Sequence, residues 1–193
     1  MKNTLSENLK NLKRLPQVVL PKDAALILAY TGIPTNAKIV DSGSGSGFLS
    51  IFLAWYCPKG KVVTYEKNKE FVKVVKNNIE KTGLKNIQVK NKDILKSEIE
   101  EDNLDIVTLD MKDCEKVIPE AYKKLKKNGW LVVYSPYIEQ VIKVLEEMKK
   151  YKFKEIKTVE NIVREWQSEY GYTRPKTKGI LHTGWLTFGK KQG

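Results

Sequence analysis

The chain has 193 residues, of which 41% are hydrophobic and 30% charged, a balance that suits one well-buried soluble domain and is short for two. Lysine and arginine outnumber aspartate and glutamate by 35 to 23, a net charge of +12; the excess favours an anionic partner, nucleic acid being the commonest, and is also found in the Lys- and Glu-rich proteins of hot environments. Two cysteines without metal-ligand spacing, a polar Lys-rich start and apolar runs of about a dozen residues or fewer argue against a disulfide framework, a signal peptide and a membrane partner. They place the chain in the cytoplasm.

Residues 1–14 read as a basic N-terminal arm, with Leu5, Leu9 and Leu12 at near-helical spacing, ahead of a domain running from 15 to 193. Two prolines hold Leu15–Pro21 extended, and a helix is expected over Lys22–Tyr30, closed by Gly32. Strand and helix signals then alternate. Strand Lys38–Asp41 leads to helix Phe48–Cys57, and strand Lys61–Tyr65 to a helix from about Asn68 with Phe71, Val74, Val75 and Ile79 on one face. Strands follow at Ile87–Lys90 and Leu104–Leu109, a helix through Val117 and Leu125 stopped by Gly129, a strand Trp130–Tyr134, and a helix through Ile138 and Met148. Phe153–Val159 and Ile180–Phe188 are the last strand candidates. Alternation of this kind predicts βαβ units: a Rossmann-like α/β fold with a seven-stranded, mainly parallel sheet, helices on both faces and a C-terminal antiparallel hairpin.

The most informative stretch is Lys38-Ile39-Val40-Asp41-Ser42-Gly43-Ser44-Gly45-Ser46-Gly47-Phe48, a strand that turns through three glycines into a helix and so brings bare backbone close to a ligand. The spacing is G-x-G-x-G. It is neither the dinucleotide G-x-G-x-x-G nor a P-loop with its Gly-Lys-Ser/Thr ending. An acid two places before the first glycine gives the pattern of class I methyltransferases that bind S-adenosyl-L-methionine. Acids also stand just past successive strands: Asp41, Glu66, Asp93 and Asp110. Glu66 falls about 20 residues after the turn, where an acid accepts from ribose hydroxyls. Asp93 is placed for an adenine amino group. Methyl transfer from a sulfonium asks for alignment and a free lone pair rather than a covalent enzyme intermediate. The single histidine, His182, leaves no histidine-rich metal site, and no G-x-S-x-G elbow supports a hydrolase triad around it.

The chain resembles the tRNA (adenine-N1)-methyltransferases that make 1-methyladenosine in the T-loop. Five stretches carry the likeness: Gln17–Ala24, Asp41–Gly47, Thr64-Tyr65-Glu66, Tyr134–Val141 and His182–Phe188. Together they span roughly residues 14 to 191. The resemblance implies that the backbone near Val19 and the turn Ser46-Gly47-Phe48-Leu49, with Asp41, Gly43 and Gly45, hold the methionine and ribose parts of S-adenosyl-L-methionine. It implies that Glu66 takes the ribose hydroxyls, that Asp93 and the backbone of Ile94 read the cofactor adenine, and that Asp110 is the catalytic residue at the cofactor. tRNA is the implied partner. A homotetramer or a non-catalytic partner subunit is the implied assembly. His182 is expected to order the C-terminal hairpin. Family members usually carry a small β-rich domain where this chain has about fourteen residues before Gln17, and a proline and an aromatic where it has Lys112, Cys114 and Glu115. A small-molecule acceptor, or a non-catalytic tRNA-binding role, stays open beside the leading reading.

Overall fold

A computed structural model describes residues 4–193; Met1–Asn3, the beginning of the basic lead-in, lie outside the described residues. Thr4 caps helix α1 (Leu5–Lys10) through a reciprocal pair with Glu7. Its Leu5 and Leu9, with Leu12 beyond, are buried in the same apolar cluster as Leu49, Phe52 and Leu53. Burying three leucines contributes about 1.5–3 kcal/mol each before ordering costs. The lead-in is therefore a docked helix rather than a solvated arm.

Helix α2 (Pro21–Thr31) starts on a proline and ends at Gly32 in the left-handed region. Then come β1 (Lys38–Ser42), α3 (Phe48–Tyr56), β2 (Lys61–Tyr65), α4 (Lys69–Thr82), β3 (Ile87–Lys90) and β4 (Leu104–Leu109). Residues 114–117 form a 3-10 turn before α5 (Ile118–Lys124), β5 (Leu125–Ser135), α6 (Ile138–Lys150) and β6 (Lys154–Glu160). A two-stranded hairpin, β7 (Trp166–Gln167) and β8 (Arg174–Pro175), precedes β9 (Trp185–Lys190). Among the described residues no helix is long and apolar enough to cross a membrane.

The seven-stranded sheet has the order β3-β2-β1-β4-β5-β9-β6. Its strands are parallel from β3 to β5, and β9 runs antiparallel to both β5 and β6. The expected fold class is the observed one. Successive strand residues divide between two apolar layers, as a pleat requires. Ile39, Val62, Ile106 and Val132 face the α2 and α3 side. Val40, Val63, Val107 and Val133 face the α5 and α6 side. The chain reverses direction of travel across the sheet between β1 and β4, and their carboxyl ends open the crevice where such folds bind ligands.

Two expectations need correction. The helix expected through Leu125 ends at Lys124, because Leu125 is already extended and pairs with Leu104. The strand then bulges through Lys126–Gly129 before it regains register at Trp130. The last strand begins at Trp185, not Ile180: Ile180 and Leu181 are exposed and belong to a 24-residue excursion, 161–184, that carries β7 and β8. Apolar residues there mimic a strand pattern without a sheet neighbour to pair with.

Candidate active site

The glycine turn departs from β1 at Gly43, where φ is +89°, and passes Gly45 at +55° and Gly47 at +83°. All three are left-handed, which favours glycine. Gly43 has a second reason. A Cβ there would sit 1.9 Å from the main-chain oxygen of Asp110. The turn and the end of β4 are thus pressed together, with the Asp110 amide donating to the Ser42 carbonyl at 2.8 Å. Gly47 caps α3 against the Val75 side chain, and a Cβ would meet Val75 Cγ1 at 3.2 Å. A Cβ on Gly45 would make only an ordinary contact, 3.8 Å from the Gly43 carbonyl oxygen.

Asn78 of α4, wholly buried, ties the approach together. It accepts from the Lys13 amide, and its Nδ2 donates to the Lys13 carbonyl (2.9 Å) and the Ser46 carbonyl (2.8 Å). This fixes the lead-in over the glycine turn. Gln17, held at φ +60°, then hangs over the crevice.

Three adjoining clefts share Gln17 and Asp110 in their walls. One of about 290 Å³ runs past Gly43, Gly45, Glu66, Phe71, Asp93 and Ile94. A narrow one lies under Val19, Asp41, Ser46, Phe48 and Leu49. A third, of about 220 Å³, is bounded by Arg14, Val18, Tyr134, Pro136, Ile180 and Thr183. Every residue expected from the sequence to bind the cofactor lines one of the first two, except Gly47, which serves the turn itself.

Glu66 is buried at the end of β2 and accepts from the Gly45 amide at 3.0 Å and from the Asn68 amide at 2.9 Å. Each carboxylate oxygen keeps a lone pair for a ligand hydroxyl. Asp93 accepts from the Leu95 amide at 3.1 Å, which fixes its side chain at the cleft wall.

Asp41 is different. Its carboxyl lies beneath the turn, between Thr108 Oγ1 at 2.7 Å and Thr64 Oγ1 at 2.6 Å. Thr64 Oγ1 is 2.5 Å from Ser44 Oγ, which is 3.0 Å from the Tyr65 carbonyl. Ser44 donates to that carbonyl, while Thr64 and Thr108 both donate to the Asp41 carboxyl. Burial pushes the pKa of Asp41 up, more than the threonine hydroxyls pull it down. Asp41 braces the turn across three strands.

Asp110, part-exposed at the meeting of the clefts, is pushed up to about 7, by burial first and by Asp41 second. Cys114, four residues on, is buried and its thiol is pushed up to about 12, so it supplies no thiolate at neutral pH.

The motifs at the two ends of the chain meet beside the third cleft. Tyr134 donates to the Thr183 carbonyl at 2.5 Å, and its ring lies so close to Gly184 that a Cβ there would meet Cζ at 2.6 Å. Lys22 donates to Asp23, to the Asn161 carbonyl and to Thr183 Oγ1, while Thr183 donates to Asp23 at 2.9 Å. His182 bridges Glu160 and the Pro136 carbonyl at 2.6 and 3.2 Å, stacks near Trp185, and has its pKa raised, first by Glu160.

Sequence reasoning missed Gln17 as a wall residue, and Phe71, which lines the cleft instead of closing the core. A left-handed glutamine leaves no pattern in a sequence. Phe71 lies on the first turn of α4, where the apolar stripe runs out over the crevice.

A family profile described as "tRNA methyltransferase complex GCD14 subunit" matches residues 8–171. The tRNA (adenine(57)-N(1)/adenine(58)-N(1))-methyltransferase TrmI of Methanocaldococcus jannaschii is 35% identical, over 97% of this chain and 76% of the relative. Among solved structures, an S-adenosylmethionine-dependent O-methyltransferase from Thermotoga maritima superimposes with a TM-score of 0.92 at 30% identity, over 99% of this chain and 72% of that one. The tRNA (m1A58) methyltransferase TrmI of Aquifex aeolicus gives 0.90 at 28% identity, over 99% and 77%. With the family profile matching most of its length and a relative 35% identical across 97% of it, the chain belongs to the tRNA (adenine-N1)-methyltransferase family.

Proposed function

We propose that the protein binds S-adenosyl-L-methionine along the first two clefts and methylates N1 of an adenine in the T-loop of tRNA. The observation that carries the reading is Asp110, which stands in the wall common to the cofactor clefts and to the third cleft, where an acceptor base would enter. The residues present fit the cofactor. Gly45 lines both cofactor clefts, and among the described residues Ser46 Oγ is buried there with no hydrogen-bond partner. Glu66 has acceptor capacity for two ribose hydroxyls, and Asp93 with Ile94 for the adenine. The cofactor supplies an electrophilic methyl group on a sulfonium.

The remaining work falls to the protein. The ionised Asp110 carboxylate accepts a hydrogen bond from the exocyclic amine of the target adenine. Electron density moves toward N1, whose lone pair is the nucleophile. Methylation at N1 leaves the base cationic, and the same carboxylate offsets that charge in a site of low effective dielectric. Arg14, Tyr134 and Pro136 bound the space for the base, which must leave the T-loop stack to enter. The basic balance of the chain supports an RNA acceptor, and Ile138 and Ile142, exposed on α6, support assembly with a second copy or a partner subunit in the cytoplasm.

A second reading, transfer to a different acceptor, is favoured by the Thermotoga structure's description as an O-methyltransferase. Incubation with methyl-labelled cofactor and unmodified tRNA separates the two. The proposal expects label in tRNA; label confined to protein or small molecules, with tRNA untouched, refutes it.

A further inference from the structure

Arginine is scarce in this chain. Of 35 basic residues only Arg14, Arg164 and Arg174 are arginines. Arg14 bounds the third cleft, and the other two sit on the excursion 161–184. That excursion also exposes three aromatic side chains, Trp166, Tyr170 and Tyr172, at 55%, 104% and 71%. Around the hairpin, Trp166, Arg174, Lys176 and Lys178 line one concave surface. In a chain that otherwise uses lysine for surface charge, arginine interleaved with exposed rings is the composition for stacking on unpaired bases and gripping phosphates.

The base of the excursion is fixed. Asn161 and Thr183, at its two ends, both accept from Lys22 Nζ, at 2.5 and 2.9 Å. The Asn161 side chain also donates to the Lys22 carbonyl at 2.8 Å. The hairpin therefore leaves the domain from an anchored stem, and that stem contributes Ile180 and Thr183 to the cleft that contains Asp110. Whatever the hairpin holds is delivered to the acceptor side of the site.

We infer that the β7–β8 hairpin is an RNA-docking arm, in which Trp166, Tyr170 and Tyr172 stack on unpaired bases and Arg164 and Arg174 contact phosphates beside the methylation site. The inference rests on the reading of tRNA as acceptor and assigns the surface that would recognise it. None of Arg164, Trp166, Tyr170, Tyr172 and Arg174 lines either cofactor cleft, so their substitution should leave cofactor binding unchanged.

The test uses the full chain and two variants, Arg164→Gln with Arg174→Gln, and Trp166→Ala with Tyr170→Ala and Tyr172→Ala. Equilibrium binding of unmodified tRNA is measured across a salt series, alongside methyl transfer, cofactor affinity and molar mass by light scattering. The arginine variant should lower the slope of log affinity against log salt by about 2. The aromatic variant should weaken tRNA binding at least about tenfold, with cofactor affinity unchanged. Unaltered tRNA binding in both variants overturns the inference. So does a fall in molar mass that accounts for any lost binding, since the arm would then be an interface between copies. Tight, hairpin-dependent tRNA binding by a wild-type protein that transfers no methyl to tRNA would sink the functional reading and leave the docking arm standing. Transfer to tRNA with hairpin-independent binding would do the reverse.

Discussion

Gly43 and Asp110 are in main-chain contact: the position a Cβ would take on Gly43 lies 1.9 Å from the Asp110 carbonyl oxygen. The glycine turn and the end of β4 can approach each other only because position 43 has no side chain. Gly43→Ala must either push β4 away from β1 or unwind the turn, and φ at +89° adds strain. Thermal unfolding should show a loss of about 2 kcal/mol or more, and cofactor affinity should fall together with turnover. Gly32→Ala is the control: it has a left-handed φ but nothing within 4 Å of its Cβ, and should cost about 1 kcal/mol without affecting the site.

Asp41 should tolerate loss of its charge but not of its polar atoms. Asp41→Asn offers Nδ2 to Thr64 and Oδ1 to Thr108, and should fold with near wild-type stability and cofactor affinity. Asp41→Ala leaves two buried threonine hydroxyls without their partner and should lose about 2–4 kcal/mol in denaturant titration. An asparagine variant as unstable as the alanine one would contradict hydrogen bonding, rather than charge, as what braces the turn.

Asp110 sets a pH dependence. Transfer needs its carboxylate ionised, so kcat/KM should rise with pH to a plateau above about 8 and fall about tenfold per unit well below 7. Stability runs the other way. The folded pKa lies above the unfolded value, so the protonated group favours the folded state and its contribution is lost as pH rises from about 4 toward about 7. Asp110→Asn should therefore be the more stable protein at pH 8, by on the order of 2 kcal/mol, and lose that advantage by pH 5. Melting curves across this range decide it.

Glu66 holds the turn and lines the first cleft at once. In Glu66→Gln, one amide donor must oppose the Gly45 or Asn68 N–H. Cofactor Kd should rise about 10- to 100-fold, while turnover at saturating cofactor changes much less. A Kd within twofold of wild type would remove Glu66 from the binding site.

The sheet was legible because its strands are short apolar runs punctuated by glycine and proline. The expected bounds of β2, β3 and β4 are the observed ones. The acids past β2, β3 and β4 were legible for the same reason: once a strand's end is known, the first acid beyond it lines the crevice. What stayed hidden depends on contacts distant in sequence. Leu125 looked like the end of a helix because its partner, Leu104, lies 21 residues away. Ile180 and Leu181 looked like strand because their exposure is invisible in one dimension. Asp41 read as one acid among four, and only the Thr64, Ser44 and Thr108 side chains around it distinguish its work from that of Asp110.

The central claim is that Asp110 activates an adenine of tRNA toward methylation at N1. It is tested most directly by nucleoside mass spectrometry of unmodified tRNA incubated with cofactor and either wild-type protein or Asp110→Ala. The account predicts 1-methyladenosine as the methylated product of the wild type. It predicts that the variant binds cofactor normally and loses at least about 99% of transfer. Another methylated nucleoside, or a variant that turns over as the wild type does, would contradict it.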